Sequence, residues 1–205
     1  MNRLDMQVRL QNFFNNPAYY TSIDMNDSIQ DGLDEVVAFS GCVYKSAVVH
    51  FQQNLTYYNL LQQLPDYLGL VAMFNNVIKR WMFASSVRKF QQDRIDWECV
   101  YGTPQYFSVV NHRYVAIYRK PSVPNYGDMI VYYRAAAPLL DDSTKIPIPE
   151  DHINVLEDYV ITDLWEQNQE FTKAQDQLAK YQANLEELRK YIRNKRNPDR
   201  TMSLR

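Results

Sequence analysis

"DHINVLEDYVITDLWEQNQEFTKAQDQLAKYQANLEELRKYIR", Asp151 to Arg193, contains neither glycine nor proline. Within it Phe171, Ala174, Leu178, Tyr181, Leu185, Leu188 and Ile192 alternate spacings of three and four, the heptad stripe of an α-helix that buries one face. Upstream, Ile153, Leu156, Val160 and Leu164 continue an apolar face, with Trp165 beside it. The spacing predicts one helix of roughly 60 Å at about 1.5 Å per residue. So long an amphipathic helix needs a partner for its stripe. Trp165, Phe171, Leu178, Tyr181, Leu185, Leu188 and Ile192 are therefore candidates for helix packing or a subunit interface.

The residues that lead into this stretch look at first like chemistry. Glu150, Asp151, His152, Glu157 and Asp158 crowd behind Pro147 and Pro149. The prolines keep the preceding chain extended, and Glu150 and Asp151 then fall where the helix dipole and unpaired N–H groups favour negative charge. The cluster is thus the entry of a helix. Glu157 and Asp158 are expected on a solvated face.

Outward from there, the first forty residues predict two further helices. The second, with Ile29, Leu33, Val36 and Val37 on one face, has Asp24 or Asn26 as its cap and Gly41 just past its end. Between the two helical regions the period changes. "AVVHF", "NLTYYNL", "VAMFNNVIKRWMF", "QYFSVV", "RYVAIYR" and "MIVYYRA" are short β-branched and aromatic runs separated by prolines. Val110–Arg113 has the composition of a hairpin turn, and Ser85–Gln92 that of a short capped helix. The expected fold is α+β: a discontinuous helical bundle domain of residues 1–45 and 147–193, built from two N-terminal helices and the long C-terminal one. Into it is inserted a mainly antiparallel β module, 46–146, with a short helix near 85–95. Residues 194–205 form a basic tail.

Charge divides along the same lines. The chain's 205 residues carry a net charge of -2, yet Arg189 to Arg205 hold seven Arg/Lys against Asp199 alone. Such a basic tail on an acidic body is either solvated or binds an acidic surface, protein or nucleic acid, and charge alone does not choose between them. The alternative function from the residues alone is DNA binding through Arg193, Lys195, Arg196 and Arg200. The cluster Arg80, Trp81, Arg88, Lys89, Arg94 and Trp97 offers a basic and aromatic mixture, better read as cations lying along a β-helix junction.

Signatures of catalysis and of cofactors do not emerge. His50, His112 and His152 lie far apart, without a second histidine at helical spacing. There is no Gly-x-Ser-x-Gly elbow, and five glycines leave little for phosphate-cradling loops. Cys42 and Cys99 lack paired spacing and are expected as buried free thiols. A hydrolase using His152 with Asp151 or Glu157 is the weakest reading. We expect no enzyme, no catalytic, cofactor-binding or metal residues and no cofactor. No run reaches the length of a membrane span, and the N-terminus lacks a signal peptide's apolar core, so the expectation is a soluble chain made in a cytoplasm.

The order of the segments carries a resemblance. Leu64-Pro65 after a strand, "RWM" at Arg80–Met82, a polar short helix, "GTPQYF" at Gly102–Phe107, "VAIYRKPSVP" at Val115–Pro124, "MIVYYRAAAPLL" at Met129–Leu140 and "IPIPEDH" before the last helix follow a capped N-terminal helix pair. Over nearly the whole chain this resembles the head-to-tail connector, or portal adaptor, proteins of tailed bacteriophages. The resemblance implies a virion structural protein at the head–tail junction, assembled in the host cytoplasm as a ring of about twelve copies beneath the portal. It implies as partners the portal protein, further copies of itself, a tail or distal neck protein, and genomic DNA passing through the ring's channel without sequence-specific binding, with no membrane. It further implies that the C-terminal segment reaches the portal, which assigns Arg189, Arg193, Lys195, Arg196, Arg200, Met202, Leu204 and Arg205 to portal interaction.

Overall fold

The computed structural model describes residues 1–14, 20–122 and 128–196. In chain order its elements are α1 (Arg3–Phe14), α2 (Ser22–Ser40), β1 (Tyr44–His50), β2 (Tyr57–Asn59), α3 (Leu60–Gln63), β3 (Tyr67–Asn75), β4 (Arg80–Trp81), β5 (Phe83–Ala84), α4 (Val87–Asp93), β6 (Tyr106–Val110), β7 (Tyr114–Tyr118), β8 (Asp128–Ala135), α5 (Asn154–Gln167) and α6 (Phe171–Arg196). The fold class is α+β, as expected. Two units emerge, one of residues 1–43 and 136–205, the other of residues 44–135. No helix among the described residues is long and apolar enough to cross a membrane.

In the helical unit, the expected single C-terminal helix is two. α5 ends at Gln167, and Asn168–Glu170 turn the chain so that α6 runs back along α5. The turn is a Schellman motif: Glu170 N–H donates to the Trp165 carbonyl at 2.9 Å, and Gln169 N–H to that of Glu166 at 3.0 Å. Gln169 occupies its left-handed position, φ 61°, where glycine is usual. This is why the absence of glycine misled. Folding back lets the stripe of α6 bury itself on its own neighbour, and α6 is left about 39 Å long.

α2 shows how local chemistry sets an element's limits. Its cap is Thr21, not Asp24 or Asn26; Asp24 is the third helical residue, and the two exchange bonds in a capping box. Gly41 ends the helix in the left-handed conformation, its N–H donating to the Val37 carbonyl at 2.8 Å. Met25, Ile29, Leu33, Val36 and Val37 face inward from α2, and Val155, Leu156, Val160 and Leu164 from α5. The two helices pack tightly at Gly32, where a Cβ would lie 2.4 Å from Tyr159 Cδ1. Residues 136–146, assigned above to the β module, cluster with the helices. Leu140 and Ile146 are buried there, Ile146 N–H donates to the Met1 carbonyl, and Arg3 pairs with Asp142 at 2.8 Å.

The β unit contains two four-stranded sheets, ordered β1-β8-β3-β4 and β2-β7-β6-β5. All pairs are antiparallel except β5 with β6. β8 alternates cleanly: Met129, Val131, Tyr133 and Ala135 are buried while Ile130, Tyr132 and Arg134 face the other way. The β6–β7 turn sits where expected, with Asn111 at φ 51° and His112 at φ 56°. Met82 joins the sheets. Its N–H donates to Met73 in the first, and the next N–H, of Phe83, donates to Gln105 beside the second. α4, capped by Ser86, lays Phe90 with Trp97 over Ala116 of β7. Of the two thiols, Cys42 is partly buried and Cys99 exposed, so neither is fully enclosed as expected.

Candidate interaction surfaces

Two polar links on α5 tie the helical unit together, and they overturn the expectation of a solvated face. Asp158 accepts from Gln177 Nε2 and from Asn184 Nδ2, both at 2.6 Å and both on α6. Glu157 pairs with Arg9 of α1 at 2.8 Å. Burial raises both carboxyls above their ordinary values, against the pull of Asn184 and Lys180 on Asp158 and of Arg9 on Glu157. Ser28 of α2 bonds to Asp163, which also accepts from Gln167. These side chains hold helices to one another.

The stripe of α6 divides accordingly. Ala174, Tyr181, Leu188 and Ile192 are buried, Leu178 and Leu185 half-buried, and Phe171 is 60% exposed; Trp165, on α5, is half-buried. Buried Gln177 and half-buried Asn184 share the inner face, polar positions that the apolar pattern passed over.

Toward the end of α6 the charge becomes basic. Arg189 is half-buried and pairs with Glu186 at 2.7 Å. Arg193 and Lys195 are exposed, the latter 5.0 Å from the centroid of the Tyr191 ring. Tyr191 in turn packs 4.8 Å from His152, which lies in the 3-10 turn Glu150–His152 before α5. Glu150 itself pairs with Lys145. His152 and Glu157 therefore have separate partners. Arg196 belongs to α6; Arg200, Met202, Leu204 and Arg205 lie outside the described residues.

On the β unit the structure places an aromatic surface that sequence reasoning missed. Trp81 is 56% exposed, 5.2 Å from Phe74 and 5.4 Å from Tyr132, ring to ring. Trp81 and Tyr132, with Tyr44 and Val71, line a groove of about 390 Å³ on the first sheet. The register explains it: Phe74 opposes both Ile130 and Trp81, so the outward residues of neighbouring strands stand in one row. Alternation in "MIVYYRA" was the available signal. The supposed basic and aromatic cluster is dispersed. Trp97, 3% exposed, is buried with Phe90, Arg94 pairs with Asp96, and Trp81 belongs to the other sheet.

A discontinuous helical unit interrupted by a β unit, with aromatic and basic faces turned outward, defines an α+β protein suited to contacts with other macromolecules. The family model described as SU10 adaptor protein matches residues 1–204, and the chain belongs to that family. It is a structural adaptor of the phage virion, working through contacts with other virion proteins such as the portal. No curated protein matches the chain.

Proposed function

We propose that the chain is the head-to-tail connector of its virion: a ring of about twelve copies that docks beneath the portal, extends the DNA channel and offers the tail its attachment surface. It acts by binding and not by catalysis. The observation that carries this reading is the family match over residues 1–204. Charge supports it further. Residues 1–188 carry fifteen basic and twenty-three acidic side chains, a balance suited to a channel wall that must not grip DNA. The basic segment from Arg189 onward, with Arg193 and Lys195 exposed on α6, is the portal-facing part in this reading.

Native mass spectrometry of the adaptor alone and mixed with portal rings tests the assembly. Expected are a monomer alone and one adaptor per portal subunit in the mixture. A stable ratio far from one, or a closed ring without portal, overturns it. Deleting residues 194–205 should abolish portal docking. If it instead abolishes a steeply salt-dependent affinity for duplex DNA and leaves docking intact, the tail is a DNA-binding element.

A further inference from the structure

A cavity of about 400 Å³ opens in the β unit between α4 and the β6–β7 hairpin. Its floor is aromatic, the rings of Phe90 and Tyr118 stacked at 5.2 Å. Lys89 and Arg119 supply positive charge, Ser85 and Gln105 neutral donors and acceptors, and Asp93 a single carboxylate. None of these five side chains makes a hydrogen bond or an ion pair among the described residues. Their neighbours do: Arg94 pairs with Asp96, Tyr57 donates to Glu98, and Lys120 lies 4.3 Å over the Tyr101 ring. Arg119 is also held in an unusual way. Its backbone is left-handed, φ 45°, and its stem passes 3.2 Å from where Gly102 would carry a Cβ. A side chain at Gly102 would crowd the arginine.

We propose that this cavity receives a glutamate or aspartate side chain on an extended segment of a protein partner. The volume suits a small ligand. Two cations without partners among the described residues match one carboxylate, while Asp93, Gln105 and Ser85, which also line the cavity, supply acceptors and donors for flanking peptide groups. Asp93 disfavours the doubly charged phosphate group. Nucleic acid fits less well, because Asp93 repels its phosphate backbone; base stacking on Tyr106, which lines the cavity and is 36% exposed, is the outcome that the oligothymidine titration tests. The site does not depend on the connector reading and stands or falls separately from it.

The test uses the full-length protein, labelled with ¹⁵N, and follows its amide resonances during titration with acetyl-Ala-Glu-Ala-amide. The same peptide with glutamine, inorganic phosphate and oligothymidine provide the comparisons. The glutamate peptide should shift amides within residues 85–93 and 105–119, and the other three should not. Lys89→Gln and Arg119→Asn should each weaken binding roughly tenfold, as loss of one charge-assisted hydrogen bond does. Asparagine tolerates the left-handed backbone and Lys89 lies on an exposed helix face, so unchanged thermal melts are expected. Equal shifts from the glutamine peptide, stronger shifts from phosphate or oligothymidine, or none in these residues at millimolar peptide overturn the proposal. So does wild-type affinity in well-folded Lys89→Gln.

Discussion

Tyr181 on α6 donates its phenolic hydrogen to the Glu35 carboxylate on α2 at 2.8 Å. The phenol is buried, and both burial and the nearby carboxylate raise its pKa, so it stays protonated and remains a donor. The bond joins residues on either side of the inserted β unit. Tyr181→Phe keeps the ring against Tyr159 and removes only this bond. It should cost about 1–2 kcal/mol in urea unfolding, with the ring's burial retained. A loss near the 3–5 kcal/mol of a large core truncation would mean that packing, not the hydroxyl, has been disturbed.

Gly32 permits the contact between α2 and α5. A Cβ there would stand 2.4 Å from Tyr159 Cδ1 and 2.9 Å from Leu156 Cδ1. Gly32→Ala should therefore destabilise by about 1–3 kcal/mol, even though alanine favours a helix by about 1 kcal/mol. Adding Tyr159→Ala opens the space. A double-mutant cycle on unfolding midpoints should give a favourable coupling of about 1 kcal/mol or more, and additivity would refute the steric account.

At the hinge of the helical hairpin, Gln169 bears the cost of a left-handed backbone that glycine adopts freely. Gln169→Gly should stabilise the chain by about 0.5–1 kcal/mol. Gln169→Pro, whose ring cannot take positive φ and which lacks the N–H bonded to Glu166, should lower the melting temperature sharply. Equal melting temperatures for wild type and Gln169→Gly would show that the turn carries no strain.

Acid should act on the two units in opposite directions. Burial raises Glu157 and Asp158 above their ordinary 4.5 and 3.8, so the folded chain keeps protons that the unfolded chain has released. Between the ordinary and the raised values stability falls as pH rises, and acidification from neutral toward about pH 4.5 stabilises the helical unit. Glu150 and Asp141 are held low by Lys145 and by Thr144 with Ser143, and act only below their ordinary values. Asp66 in the β unit is lowered chiefly by its bond from Lys45. Its contribution is complete above 3.8 and is lost as pH falls through the lowered value. In hydrogen exchange resolved by residue, Asp158→Asn should flatten the first slope and Asp66→Asn the second. A wild-type slope in Asp158→Asn would rule out the buried carboxylate as its source.

Much of the fold was legible wherever a local rule decides. Gly41 ends α2 because a left-handed C-terminus favours glycine, and alternation in "MIVYYRA" marks β8 because one face of that strand is buried. The break after Gln167 was not legible, since glutamine fills the glycine position of its turn. Gln177 and Asn184 were passed over because their inward orientation depends on Asp158, about twenty residues away on another helix. The surfaces were harder still. The Phe74, Trp81 and Tyr132 row exists only through strand register, and the cleft at Lys89 and Arg119 only through the packing of α4 on the second sheet. Both are properties of segments brought together from a distance.

The pairing of Tyr44 with Arg134 has a kinetic consequence. The β unit begins and ends on neighbouring strands, so once it forms, the two arms of the helical unit leave from nearly the same place. Without it, α2 and α5 would have to find each other across a loop of about 110 residues, an entropic cost of about 4 kcal/mol beyond the constant for any closure. The inserted strands are thus a template for the helices that flank them. In the order of synthesis α1 and α2 precede β8, and the helices that fill the inner face of α2 follow it.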